Sequence, residues 1–332
     1  MLLMTSRTYC ITLFTLLTIG LLALPAASCP IPVYQYSLEW WERDAYEVYV
    51  FDTGELTEEQ EASIARLQRI SEGRREAEPA NLRLRRVQHE SEERLAAHSA
   101  LRGAEIESLP WMVVYYPAVS SNRSGPIWMG PLTEENIDAL IDSPKRQEIS
   151  DLLLNRTSVV WVLLESGNGR ADREAAEVLE REVKRLEETL VPPALDEWGM
   201  EDIEISDIKF EIRRLSQNDE TERMFVAMLT NSEIDLDDYR HEPMVFPIFG
   251  RGLIMNALIG RGINANMLRR TAEFLTGPCS CTVKSLNPGT DLLTTADWSG
   301  RIQPLSVEVT TEPGGLGGFL DSAEEAEAFQ ER

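Results

Sequence analysis

The chain alternates between short unbroken apolar runs and longer stretches whose apolar residues return every three or four positions. The first pattern belongs to buried strands and the second to amphipathic helices. Tyr46 to Asp52 gathers valine, tyrosine and phenylalanine before Thr53-Gly54, which predicts a strand and a turn. Thr57, followed by Glu58, Glu59 and Gln60, predicts a helix cap, and Ile64, Leu67 and Ile70 mark the apolar face of the helix. A second strand is expected over Leu82 to Val87 and a second helix over Glu90 to Leu101. Leu109-Pro110 leads into a buried-type strand, Trp111 to Tyr116, and a loop around Asn122 to Pro126 turns the chain into Ile127-Trp128-Met129. Thr133 caps a further helix, and Ser143 with Pro144 opens another that runs to about Leu154.

The same order then begins again. Val159 to Leu164 predicts a strand, and after the turn at Gly167 to Gly169 a long helix carries Ala175, Leu179, Val183, Leu186 and Leu190 on one face until Pro192-Pro193 stops it. Ile208 to Leu215 predicts a strand and Glu220 to Leu229 a helix. Glu242-Pro243 opens the run Met244 to Phe249, the turn Gly250-Arg251-Gly252 follows, and Leu253 to Ile259 returns as its antiparallel partner. A last helix is expected over Ala265 to Thr276. One plan therefore occurs twice, alike in order and weakly alike in letters.

That plan, strand-helix-strand-helix followed by a proline-led hairpin and a closing helix, resembles the thioredoxin fold. The resemblance implies an α/β protein of two tandem thioredoxin-like (βαβαββα) domains, at 47–155 and 156–278, with 279–301 as a Cys-Ser-Cys segment and 302–332 as a flexible acidic tail. Thioredoxins place a cis proline just before the third strand, beside the active site, and Pro110 and Pro243 match that position. Both also suit the plain start of a strand. The chain further resembles exported bacterial proteins that begin Cys-Pro-x-Pro after the signal and carry Gly-Pro-Cys-Ser-Cys late, a resemblance that implies no activity.

The N-terminus gives an address. Arg7, an apolar run from Cys10 to Leu24, Pro25 and then Ala26-Ala27-Ser28 have the order of a secretory signal peptide over 1–28. The run is too short to span a bilayer. Ala26-Ala27-Ser28-Cys29 also resembles a lipobox, although Ala26 stands where a leucine is usual, so Cys29 is a candidate for lipidation. The expected location is the periplasm or cell envelope, with any membrane attachment made through Cys29. The lead, 29–46, carries Tyr34, Tyr36, Trp40 and Trp41, which predicts packing on the first domain.

Charge narrows the partners. Asp and Glu total 56 against 32 Lys and Arg, a formal charge of -24, with no basic patch to offset it. Nucleic acid and anionic lipid are therefore poor partners, and another envelope protein is the expected one.

Thioredoxin chemistry needs a cysteine pair at the first strand-to-helix turn, where a helix N-terminus stabilises the thiolate. The two turns read Asp52-Thr53-Gly54-Glu55-Leu56-Thr57 and Glu165-Ser166-Gly167-Asn168-Gly169-Arg170, without cysteine, so no catalytic residue is assigned. Cys29, Cys279 and Cys281 remain after the signal. In an oxidising compartment an odd count leaves one thiol free, lipidated or joined to another chain. Cys29 could bridge to Cys279 or Cys281, or the late pair could act as a thiol oxidoreductase or redox sensor, although a helix C-terminus does not activate it. His241, near Pro243, is a candidate on the binding rim. No cofactor motif is present, and the spacing of His89, His98 and His241 predicts no metal site.

Overall fold

The computed structural model describes residues 29–73, 80–88, 101, 106, 108–118, 125–194, 204–279, 284 and 289–304. The expected signal peptide, most of the expected helix over Glu90 to Leu101, Cys281 and the tail from residue 305 lie outside the described residues. The described chain is a mixed α/β protein with two main sheets.

The first sheet is built from β2 (Tyr46–Asp52), β3 (Leu82–Gln88), β4 (Trp111–Tyr115) and β5 (Trp128–Pro131), in the order β3-β2-β4-β5. β2 and β3 are parallel, with Val50 opposite Arg86, while β4 is antiparallel to β2 and to β5. The parallel pair is joined through α2 (Glu58–Ser71). Its start is the expected capping box: Gln60 N donates to Thr57 Oγ1 at 3.2 Å, and Thr57 N donates to Gln60 Oε1 at 2.9 Å. Ile64, Leu67 and Ile70 are buried. After β5 come α3 (Glu134–Ile141) and α4 (Pro144–Leu154).

The second sheet uses β6 (Val159–Glu165), β7 (Phe210–Ser216), β8 (Met244–Phe249), β9 (Leu253–Ile254) and β12 (Thr290–Asp291), ordered β12-β9-β8-β6-β7. β10 (Leu258–Ile259) also pairs with β8. The helices α5 (Gly169–Thr189), α6 (Arg223–Thr230) and α7 (Ala265–Thr276) complete this half. The return strand expected over Leu253 to Ile259 is split in two. From Ile254 to Leu258 the return strand takes four steps against three on β8, so one residue is extra, and the Glu233 carboxylate accepts from Ala257 N there at 2.7 Å.

Alternation along β2 and β6 sorts the side chains between cores. Tyr46, Val48 and Val50 of β2 and Val160, Val162 and Leu164 of β6 belong to one continuous apolar cluster, with α2, α3, α4 and α6 between the sheets. On the far face of the second sheet, Val159, Trp161 and Leu163 pack with Leu179, Val183 and Leu186 of α5 and Leu268, Ala272 and Leu275 of α7. The halves expected as separate domains thus share a core.

The lead corrects one expectation. It forms β1 (Cys29–Pro32) and α1 (Val33–Trp40), and its buried aromatic side chains dock on the second half, while Leu38 joins the core shared with the first sheet. Val33, Tyr34 and Trp41 join the cluster under α5 and α7, Tyr34 Oη donates to Ser206 O at 2.6 Å, and Gln35 Nε2 donates to Glu204 O at 2.9 Å. β1 pairs with β11 (Pro278–Cys279) immediately after α7, and Val33 N donates to Gly277 O at 3.1 Å. Tyr34 and Trp41 are buried there, whereas Trp40 stays exposed.

The C-terminal boundary also moves. β12 lines the edge of the second sheet, Leu292, Leu293 and Trp298 are buried between the halves, and Ile302, expected to open a flexible tail, is buried as well. A short helix, α8 (Trp298–Arg301), closes this segment.

Candidate functional site

Both strand-to-helix turns end in an acid that an arginine holds. In the first, β2 runs into Asp52, whose side chain is fully buried. Arg86 on β3 grips it twice, Nε to Oδ2 at 2.7 Å and Nη2 to Oδ1 at 3.0 Å, and Gly54 N donates to Oδ1 at 2.8 Å. A two-pronged arginine contact both orients and neutralises a carboxylate. The hydrogen bond to Asp52 also holds the Arg86 guanidinium above its ordinary pKa. Gly54 has φ of 89°, a conformation that glycine adopts without steric cost.

The second turn repeats the device with different letters. β6 ends at Glu165, which Arg214 on β7 contacts, with Nε 2.9 Å from Oε1. Gly167 has φ of 83°. Here Ser166 is engaged by local bonds: its N and Oγ both donate to Asp172 Oδ1, at 2.9 and 2.8 Å, and its carbonyl accepts from Gln217 Nε2. Asn168 then caps α5 by accepting from Arg170 N and Ala171 N. A hydroxyl that donates to a carboxylate already shared with a backbone N–H is an element of the turn. Neither turn presents a thiol or an open anion-binding N-terminus.

One of the two expected cis prolines is present. Leu109–Pro110 is cis, and it is the only cis bond among the described residues. Leu109 O lies 3.5 Å from Gln60 Nε2 in the first turn of α2, and Pro110 O accepts from Leu132 N at 2.9 Å. The expectation of a second cis proline at Pro243 is corrected. The chain leaves a tight turn, in which Glu242 N donates to Tyr239 O at 2.8 Å, and Pro243 O accepts from Gly260 N at 2.9 Å. That bond extends the ladder between β8 and β10, so Pro243 is already strand backbone. His241 stands exposed, with Nε2 3.8 Å from Glu242 Oε1.

Of the cysteines, Cys29 and Cys279 are brought opposite one another as partners in the β1/β11 pair, and Cys281 lies outside the described residues.

A buried charged junction went unforeseen by sequence reasoning. Asp291, 3% exposed, receives Asp44 N at 2.8 Å and Lys284 Nζ, while Lys284 Nζ also reaches Asp44 Oδ2 at 2.9 Å and Glu42 O at 2.6 Å. Burial pushes the Asp291 carboxyl up to about 6. Arg43 donates to Asn81 Oδ1 at 2.9 Å and to Thr294 O at 2.8 Å, and burial lowers its pKa to about 10. Two further buried arginines close helix ends, where carbonyls lack intrahelical partners. Arg251 donates to Leu38 O and Glu39 O of α1, and the wholly buried Arg146 donates to Leu140 O of α3 at 2.9 Å and to Leu293 O at 3.0 Å. Burial lowers Arg146 to about 10 as well. The polar groups of this junction are satisfied by one another, so its chemistry is that of a clamp.

Among the described residues, no group of three or more His, Cys, Asp or Glu side chains could hold a metal ion, and no helix is long and apolar enough to cross a membrane. No protein-family model matches the chain, and no curated protein matches it.

Proposed function

We propose that the protein is an exported, non-catalytic binding or assembly module built from two thioredoxin-like units, whose partner is another protein of the cell envelope. Support for two copies of one plan comes from the sheets, since each combines a parallel strand pair with a following antiparallel hairpin in the same spatial order. The observation that carries the absence of catalysis is the pair of strand-end turns. Where a thioredoxin would expose a thiolate at a helix start, this chain places Asp52 and Glu165, each neutralised by an arginine from the neighbouring strand. A carboxylate already held in this way has no bond to exchange.

An insulin-reduction assay with dithiothreitol tests the reading. The expected result is no acceleration over the reductant alone. Catalysed reduction that Cys279→Ser or Cys281→Ser abolishes would replace the module with the thiol oxidoreductase or redox sensor.

A further inference from the structure

We propose that Cys29 and Cys279 form a disulfide that fastens the lead to the end of α7, leaving Cys281 as the unbridged thiol. The inference uses the export named above, because it needs an oxidising compartment.

The argument is one of backbone register. β1 and β11 run antiparallel with Cys29 opposite Cys279 and Pro32 opposite Pro278, and the pairing is irregular between those two positions. Directly opposed residues of antiparallel strands have Cα atoms about 4.5 to 5.5 Å apart. A disulfide accepts roughly 4.4 to 6.8 Å, a range that overlaps this backbone spacing. The two sides are also fastened to each other and to the core. Val33, four residues after Cys29, is 1% exposed and bonded to Gly277, while Thr276, three residues before Cys279, is 4% exposed. The two cysteine backbones are thereby kept opposite each other, which raises the effective concentration of one residue at the other far above that in free solution.

The chemistry balances as thiol–disulfide exchange. One cysteine thiolate attacks a disulfide oxidant, either a small disulfide such as oxidised glutathione or an envelope protein disulfide, and releases one thiol. The second thiolate then attacks the mixed disulfide. One S–S bond forms between Cys29 and Cys279, the oxidant's S–S bond breaks, and the oxidant leaves as two thiols carrying the two protons and the electron pair. Once its sulfur is in this bond, Cys29 cannot carry a thioether to diacylglycerol. Bridging and lipid anchoring are therefore alternative fates of one atom.

The test is peptide mapping of the exported protein, purified after removal of the signal, following equilibration in a glutathione redox buffer and alkylation without reduction. Trypsin leaves Cys279 and Cys281 on one peptide, between Arg270 and Lys284, so fragmentation must place the alkyl group. The expected product joins this peptide to the one ending at Arg43, with the label on Cys281. Cys281→Ser keeps the linked product and Cys279→Ser loses it. Cys29→Ser and Cys279→Ser should each lower Tm by roughly 3 to 8 °C, and the double variant by no more. A bridge through Cys281, an alkylated Cys29 or a diacylglycerol on Cys29 overturns the proposal. If the Cys279 variant fails to fold, the wild-type and Cys281→Ser maps still decide. These maps are read separately from the insulin assay, so either result can fail alone.

Discussion

Arg86 and Arg214 are equivalent residues in two different sheets. Arg86 lies opposite Val50 on β3's parallel neighbour and Arg214 lies opposite Leu163, and each reaches the acid two residues further on, Asp52 or Glu165. What differs is burial: the Asp52 side chain is fully buried, and that of Glu165 is 26% exposed. An uncompensated charge costs most where water cannot reach it.

Removing the arginine should therefore cost unequal amounts. Arg86→Ala is expected to destabilise by about 3 kcal/mol, because it strands a buried carboxylate. Arg214→Ala is expected to cost less than about 1 kcal/mol, as exposed ion pairs do. Urea unfolding of the two variants checks this, and equal losses would contradict the role given to burial.

Asp291 predicts a pH dependence. Its carboxyl is raised by burial to about 6 in the folded protein against an ordinary 3.8. Between those values the folded state holds a proton that the unfolded chain has released, so this group makes stability fall as pH rises through the window. A displacement of that size corresponds to about 3 kcal/mol. Asp291→Asn removes the dependence. The stability of wild type minus that of the variant should decline by about that amount between pH 4 and pH 7, measured by urea unfolding at steps of one pH unit, and a constant difference would rule the assignment out.

Arg146 predicts that geometry, beyond charge, holds the halves together. Its guanidinium spans carbonyls at the end of α3 and Leu293 of the C-terminal segment. Lysine keeps the charge but lacks the planar fork. Arg146→Lys should thus lose a large part of what Arg146→Leu loses, on the order of 3 kcal/mol for the latter. A lysine variant as stable as wild type in thermal unfolding would show that charge alone suffices.

The strands β2, β4, β6 and β8 and the helices α2 and α5 were legible because each carries its own period, and a period is a local property. Thr57 and Gln60 were legible as a cap for the same reason. What stayed hidden depends on residues far apart. Asp44 and Asp291 are separated by 247 positions, and no spacing rule connects them. Tyr34 and Trp41 announced that the lead must be buried, yet aromatic letters do not say against which half. Leu292, Leu293, Trp298 and Ile302 are scattered among polar residues without helical or strand spacing, so their burial between the sheets left no pattern to find. Within the candidate site, the missing cysteines were plain, whereas the matching Arg-Arg steps at Arg85-Arg86 and Arg213-Arg214 acquire meaning only once strand register is known.

The docking of the lead makes the first half a guest inside the second. Val33, Tyr34 and Trp41 belong to the outer face of the second sheet, yet they are synthesised before any strand of the first. They have nothing to cover until β6, α5 and α7 exist, and the edge of that sheet is finished by β12 later still. The second half is complete only with both of its distant flanks, the lead before the first sheet and β12 after α7. A cut between the halves near residue 156 would therefore give unequal products: one carrying an aromatic lead with no surface to rest on, the other an uncovered sheet face where Val33, Tyr34 and Trp41 should lie.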